Sequence, residues 1–280
     1  MTAMPKEIVL IAGRGVYPRL LAESARTQGV AHIFALAFRG ETDRVIEKWA
    51  DRVEWVHLGK FDAMLEALRR SGLRHAVMAG QIAPTNLFRL RLDERTLNIL
   101  RRLPVRNAKT IFGAVADELA AIGIELLPAS SFMEAHMPRA GVLTSRSPSA
   151  SEQRDIEIGF KAAKVTSGLD IGQTVVVKEG TILAVEAFEG TDEAIQRAGK
   201  LAGAGAVVVK VAKPEHDMRF DIPVIGRHTM KMLRAVRAAA LALEAGRAIL
   251  LERDVIVGEA NRMGLCISVV AGPPDSCPAG

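Results

Sequence analysis

Lys213, Asp217, Arg219 and Asp221 fall within one short polar run, Lys210-Val-Ala-Lys-Pro-Glu-His-Asp-Met-Arg-Phe-Asp-Ile-Pro-Val-Ile-Gly-Arg-His-Thr229. Side chains of these types in one place suit a phosphate group with a divalent cation. The cationic groups answer phosphate oxygens and the carboxylates answer the metal. Upstream, Glu186-Ala-Phe-Glu-Gly-Thr-Asp-Glu193 ends a strand pattern and starts a helix. Thr191 reads as its N-cap, with Asp192 and Glu193 in the positive first turn. Glu186, Glu189 and Asp192 are also candidates to approach the central run as metal ligands or hydrogen-bond partners.

The elements that must hold these residues follow from periodicity. Residues 206–211 form a buried-strand pattern that feeds the central run, and residues 230–245 read as a long helix that leaves it. A polar loop between two apolar elements is where a scaffold presents chemistry. Nearer the N-terminus, residues 7–12 read as a buried parallel strand, Gly13-Arg-Gly15 as its turn, and Pro18 as the opening of a helix that Gly29 caps. Further strands are read at 32–37, 53–56, 76–78 and 125–127, with helices at 61–70, ended by Gly72, and at 111–122. Alternating strands and helices predict a parallel sheet covered on both faces. Residues 130–148 are rich in Ser, Pro, Arg and Gly. The expected division is therefore a Rossmann-like N-terminal domain at 1–133, a linker at 134–148, and a smaller mixed α/β domain at 149–280 that carries the central loop. Ser149-x-x-Glu152 is a capping-box signal for the first helix of the second domain. Glu179-Gly180 supplies the turn of a hairpin between residues 170–178 and 181–186. Gly13-x-Gly15-x-x-Pro18 departs from the dinucleotide fingerprint at its third position, and no lone acidic residue ends the second strand. It still places backbone N–H groups at a helix start, which suits a phosphate or polar ligand.

Composition bounds the class. With 280 residues, of which 49% are hydrophobic, the chain can bury a large core or two smaller ones. A net charge of +5 favours anionic partners. Aromatic residues make up only 4%, which argues against a stacking platform for single-stranded nucleic acid. Cys266 and Cys277 have no metal-type spacing, and the reading is a reduced, cytoplasmic protein. No leader pattern precedes the first strand and no apolar run is long enough to cross a bilayer, so any membrane contact is expected to be peripheral. Arg89, Arg91, Arg95, Arg101, Arg102, Arg106 and Lys109 interleave with leucines. That pattern is a solvated helix face or a surface for anionic head groups.

Several stretches together carry a family resemblance: Ile11-Ala-Gly-Arg-Gly-Val-Tyr-Pro18, Ala76-Val-Met-Ala-Gly-Gln81, Leu169-Asp-Ile-Gly-Gln173, Ala184-Val-Glu-Ala-Phe-Glu-Gly-Thr-Asp192, and Val209-Lys-Val-Ala-Lys-Pro-x-x-Asp-Met-Arg-Phe-Asp-x-Pro-x-x-Gly226. In this order and over nearly the whole length, the chain resembles the UDP-2,3-diacylglucosamine pyrophosphatases of the LpxI type. The resemblance implies hydrolysis of UDP-2,3-diacylglucosamine to UMP and 2,3-diacylglucosamine 1-phosphate, lipid X, in lipid A biosynthesis. It implies Mg²⁺ dependence, water attack on the sugar-side phosphorus, two α/β domains with the lipid product held between them, and a homodimer at the inner membrane surface. The aspartate of Met-Arg-Phe-Asp, here Asp221, is implied as the essential acid. Residues and resemblance together give Gly13, Gly15, Gly80, Gln81, Thr191, Lys210, Lys213, Arg219 and Thr229 as substrate-binding candidates. Asp217, Asp221 and Asp192 are the metal-ligand candidates. Asp221 is open to two roles, metal ligand or general base. The competing readings are a non-catalytic nucleotide or acyl-sugar binder and, from Gly13-x-Gly15 and Arg39, an NADP oxidoreductase. Nucleic-acid binding ranks last.

Overall fold

The computed structural model describes residues 4–82, 92–105, 108–213, 217–220 and 222–272. Asp221, Arg89, Arg91, Arg106 and Cys277 lie outside the described residues. The chain divides into two compact units. The first comprises Met1–Met133 together with Asp217–Asp221, and the second Glu134–His216 and Ile222–Gly280.

The first unit is built on β1 (Glu7–Ala12), β2 (His32–Phe38), β3 (Arg52–Val56), β4 (His75–Ala79) and β5 (Glu125–Leu126). They form one parallel sheet in the order β3-β2-β1-β4-β5. Both faces of the sheet are covered, which is why β1 and β2 read as nearly unbroken apolar runs. Among the described residues four α-helices serve this sheet: α1 (Tyr17–Thr27), α2 (Phe61–Ser71), α3 (Glu94–Arg102) and α4 (Ala108–Ala121). Pro18 lies in the first turn of α1, where its missing N–H costs nothing. Gly72 ends α2 in the left-handed region at φ 70°. On one face Val9, Ile11, Phe34 and Leu36 meet Leu65, Leu68 and Leu119. Each fully buried leucine there contributes roughly 1.5–3 kcal/mol.

The second unit carries β6 (Gly141–Val142), α5 (Ala150–Gly168), β7 (Thr174–Lys178), β8 (Thr181–Val185), α6 (Thr191–Ala202) and β9 (Val207–Lys210). After these come β10 (Val224–Ile225), α7 (Arg227–Ala235), β11 (Ala240–Glu244), β12 (Ile249–Leu250), α8 (Arg253–Met263) and β13 (Cys266–Val270). Its main sheet runs β6-β13-β11-β9-β7-β8. β9, β11 and β13 are parallel, and β6, β7 and β8 are antiparallel to their neighbours. Alternate residues face opposite cores. Val208, Leu241, Leu243 and Ile267 join one cluster, and Val207, Val209, Ala240, Ala242 and Cys266 the other. Helix α5 approaches the second face closely because Gly159 has no side chain. A Cβ there would sit 2.5 Å from Val209 Cγ2. Ser149 begins α5 with both bonds of the capping box. Buried Asp155 accepts the Glu179 and Gly180 N–H groups at 2.9 and 2.7 Å, which fixes the β7–β8 turn.

Three expectations differ from what is observed. The stretch 230–245 is not one helix. Helix α7 ends at Ala235, Arg237 turns the chain at φ 51°, and β11 follows as a fully buried strand inside the sheet. A short apolar run of alanine and leucine has the same composition in a buried strand as in a buried helix, so periodicity does not separate them. The stretch 134–148 is built into the second unit. β6 pairs with β13, Leu143 N–H donates to Ile267 O at 2.9 Å, and Arg146 grips Glu152 and the carbonyls of Gly264 and Ala239. Finally, Asp217–Asp221 groups with the first unit, although its neighbours in the chain belong to the second. Ala129 N–H donates to Met218 O at 2.6 Å, and Phe220 packs against Phe112 with ring centroids 5.8 Å apart.

Candidate functional site

The glycine turns after β1 and β4 meet where the strand order of the first sheet reverses, the place where open α/β sheets bind ligands. Gly13 N–H donates to Ala79 O at 2.7 Å, Arg14 N–H to Gln81 O at 2.9 Å and Gln81 N–H to Arg14 O at 3.0 Å. A Cβ on Gly13 would lie 2.8 Å from Gln81 O, and one on Gly80, at φ +93°, would lie 2.8 Å from Arg14 O. These two glycines are therefore required by backbone against backbone, and the amides of Gly13, Arg14 and Gln81 are already committed. Gly15 differs: at φ +95° its Cβ direction meets nothing within 4 Å. It lies just ahead of α1, which starts without a side-chain cap.

Beside these turns the first unit encloses an apolar cavity of about 90 Å³. Ile11, Phe38, Met64, Ile99 and Phe112 line it, drawn from β1, β2, α2, α3 and α4. Asp93 holds two of these helices together. Its carboxylate accepts from Asp62 N–H at 2.9 Å in the first turn of α2, and from Thr96 N–H and Oγ1 at 2.9 and 2.6 Å in α3. No local motif announces this cavity, because its walls are scattered from residue 11 to residue 115.

In the segment that groups with the first unit, Asp217 and Arg219 face each other. Asp217 Oδ1 accepts from Arg219 Nε at 2.9 Å and from its backbone N–H at 3.1 Å, and Oδ2 accepts from Nη2 at 2.8 Å. The Asp217 hydrogen bond pushes the Arg219 guanidinium above its ordinary pKa. The guanidinium also lies 5.7 Å from the Phe220 ring centroid.

The second unit gathers a polar cluster at the carboxyl edge of β9. Lys210, 8% exposed, donates to Thr191 Oγ1 at 2.9 Å, and Thr191 Oγ1 donates to Glu186 Oε1 at 2.9 Å. Thr174 Oγ1, fully buried, lies 3.2 Å from the same hydroxyl. Register explains the gathering: Thr174 opposes Lys210 across β7 and β9, and Glu186 N–H donates to Thr174 O. Thr191 is thus the first helical residue of α6 rather than its N-cap. Gly190 occupies the cap position, and the Thr191 hydroxyl is spent on Glu186 and Lys210. Gln173 Oε1 is buried beside this cluster with no hydrogen-bond partner among the described residues. Lys213 Nζ pairs with Asp170 Oδ1 at 2.9 Å, and Asp192 Oδ2 lies 2.8 Å from His228 Nε2. Thr229 is half-buried in the first turn of α7.

Lys210 and Thr191 are therefore brought into contact, as are Asp217 and Arg219, and Gly13 and Gln81 lie side by side. Asp192 and Asp217 belong to different units. Thr174 and Gln173 were not singled out as site residues by type or spacing; the register of β7 on β9, which opposes Thr174 to Lys210, is the signal that finds them. Among the described residues no group of three or more His, Cys, Asp or Glu converges as a metal site. A Mg²⁺ ion asks less of a protein, one or two carboxylates with phosphate oxygens and water completing the shell. The carboxylate of Asp217 fits that need if Arg219 releases one of its oxygens.

The chain is a two-unit α/β protein whose first unit holds an apolar cavity and whose second holds a cationic, hydrogen-bonding cluster. Residues 7–136 match the model of the LpxI N-terminal domain, and residues 139–268 that of the LpxI C-terminal domain. Over 276 residues the chain is 32% identical to the UDP-2,3-diacylglucosamine pyrophosphatase LpxI of Caulobacter vibrioides, covering 94% of this chain and 96% of that protein. The chain belongs to the LpxI family. Among the described residues no helix is long and apolar enough to cross a membrane.

Proposed function

We infer that this chain is a hydrolase of UDP-2,3-diacylglucosamine, a pyrophosphatase of lipid A biosynthesis that releases UMP and 2,3-diacylglucosamine 1-phosphate. The observation that carries this is the end-to-end likeness to a protein of that activity. The chemistry of each unit supports it. A diacylated sugar needs an apolar recess, and the cavity between α2, α3 and α4 supplies one. A diphosphate needs cationic and hydrogen-bonding groups; the second unit offers Lys210, Thr191 and Lys213, and the first offers Arg219.

In this reading water attacks the sugar-side phosphorus. The new P–O bond forms on the sugar phosphate, the bridging P–O bond breaks, and UMP leaves with the bridging oxygen. Asp221 takes the proton of the attacking water or holds the metal; Asp217 in the first unit and Asp192 in the second are separate candidates for a carboxylate ligand to Mg²⁺. When bound, Mg²⁺ would offset charge on the diphosphate and lower the pKa of a coordinated water. Arg219 keeps its charge at any accessible pH and is spread over two nitrogens, so it can move one contact from Asp217 to a phosphate oxygen without losing both. Lys213 Nζ has three N–H donors, so it can keep Asp170 and still donate to a phosphate oxygen. Peripheral attachment to the inner face of the inner membrane and a homodimer complete the proposal. Vesicle flotation and light scattering test those two points.

Purified protein incubated with UDP-2,3-diacylglucosamine should release UMP, Asp221→Ala should bind substrate without turnover, and EDTA should stop the wild type. UMP release by Asp221→Ala at a near wild-type rate would remove the assigned role of Asp221. Full activity in chelator would remove the metal. Binding with no turnover by the wild type would favour a carrier of acyl sugars or nucleotides.

A further inference from the structure

Glu244, at the end of β11, is 2% exposed, yet it carries a carboxylate. Lys164, on α5, reaches it with Nζ 3.0 Å from Oε1 and 3.2 Å from Oε2. Both groups also bind one residue, Ala212. Ala212 N–H donates to Glu244 Oε2 at 2.9 Å, and Lys164 Nζ donates to Ala212 O at 3.0 Å.

Ala212 occupies a place where these contacts matter. The pairing of β9 with β7 and β11 ends at Lys210. Val211 N–H then donates to Gln173 O at 3.0 Å, and Ala212, fully buried, lies beyond the ladder. A buried backbone N–H and C=O without partners are costly. A well-packed apolar pair is often as stable as a buried ion pair. An apolar pair at 164 and 244, however, would leave both polar groups of Ala212 unanswered. What this pair supplies beyond packing is a two-point grip on the residue before Lys213, whose own Nζ is held by Asp170.

We propose that the Lys164–Glu244 pair is a positioning device, fixing the direction in which the chain leaves β9 and so the placement of Lys213. The proposal rests on the reading that this loop serves diphosphate hydrolysis. Both act through Ala212 rather than on substrate in this proposal. Gly272 belongs to the same device: a Cβ there would lie 2.8 Å from Glu244 Oε1, so any side chain at 272 must move the carboxylate.

The test compares wild type, Lys164→Arg, Lys164→Met, the double variant Lys164→Met/Glu244→Gln, and Gly272→Ala. Hydrogen exchange of residues 211–220 is measured beside kcat and KM. The double variant leaves no unpaired buried charge, so its melting temperature should return toward wild type, while Ala212 O still lacks its donor. Its loop amides should exchange at least about tenfold faster, β11 and β13 should stay protected, and kcat should fall by about 100-fold with KM little changed, as expected when a catalytic group is misplaced by an ångström. Lys164→Arg keeps the donor and should restore most of the rate, and Gly272→Ala should fall between. Loop exchange and kcat at wild-type levels in a folded double variant would overturn the proposal. So would faster exchange spread evenly over the sheet, which marks a purely structural pair. Should Lys164→Met fail to fold, the double variant and Gly272→Ala decide. No turnover by the wild type would count against the function, and the exchange comparison would then still judge the grip on Ala212.

Discussion

Replacing Thr191 by valine removes one oxygen and almost no volume, so it isolates the hydroxyl at the centre of the second unit's polar cluster. That hydroxyl has one proton and two acceptor positions. Its proton goes to Glu186 Oε1 at 2.9 Å, and Lys210 Nζ fills one acceptor position at 2.9 Å. The Thr174 hydroxyl, at 3.2 Å, must then donate to the other. All three capacities are used. Two of the bonds involve charged partners, a carboxylate and an ammonium that are only 9% and 8% exposed, and each is worth about 1.5–3 kcal/mol. Thr191 is itself half-buried, so water entering the gap recovers part of this and the net loss is about 2–3 kcal/mol. For a domain of this size each kcal/mol moves the melting temperature by roughly 2–4 °C, so Thr191→Val should melt about 4–12 °C below wild type. Differential scanning calorimetry at neutral pH reads this directly. Thr191→Ser keeps the hydroxyl and should lose much less. A Thr191→Val protein melting with wild type, or a serine variant as unstable as the valine variant, would show that the hydroxyl does not tie Glu186 to Lys210.

Gly80→Ala places a methyl 2.8 Å from Arg14 O at φ +93°, so it should destabilise the first unit by at least about 1–3 kcal/mol in urea unfolding, while Gly15→Ala, with open space around it, should cost less. Burial alone would raise the Asp93 pKa, but hydrogen bonds from the Thr96 hydroxyl and amide and from the Asp62 amide outweigh it, and the carboxyl sits below its ordinary value. Folding therefore lowers this pKa; the stabilisation is whole above the unfolded value of about 3.9 and is lost as pH falls through the folded value. Stability measured against pH should accordingly lose part of its acid slope in Asp93→Asn, and an unchanged slope would remove Asp93 from the account. Val115→Phe intrudes on the apolar cavity and should raise KM for long-chain substrate while sparing a short-chain analogue; equal effects on both would separate the cavity from acyl recognition.

Where local chemistry decides, the chain was legible. The β1 run, Pro18, Gly72, the Ser149-x-x-Glu152 box and the Glu179-Gly180 turn each have one cheap conformation, and the structure adopts it. Where burial decides, it was not. β11 is an Ala-Leu run whose state depends on lying between β9 and β13, and the sequence around it carries no strand-specific residue. Thr191 had the type and position of a cap, but the register of β7 on β9 gave its hydroxyl stronger partners. Lys210 and Thr191 were both expected as substrate-binding residues, but their contact was not foreseen, and Gln173, Thr174, Lys164 and Glu244 are placed by long-range pairings that spacing does not encode. The grouping of Asp217–Asp221 with the first unit is of the same kind, since Phe220 and Met218 find their partners at Phe112 and Ala129.

The most direct measurement is a turnover of UDP-2,3-diacylglucosamine in ¹⁸O-labelled water, with both products weighed by mass spectrometry. The account predicts UMP without label and 2,3-diacylglucosamine 1-phosphate carrying one labelled oxygen, with neither product formed by Asp221→Ala. Label in UMP would contradict attack at the sugar-side phosphorus, and intact substrate after prolonged incubation with metal would contradict the activity itself.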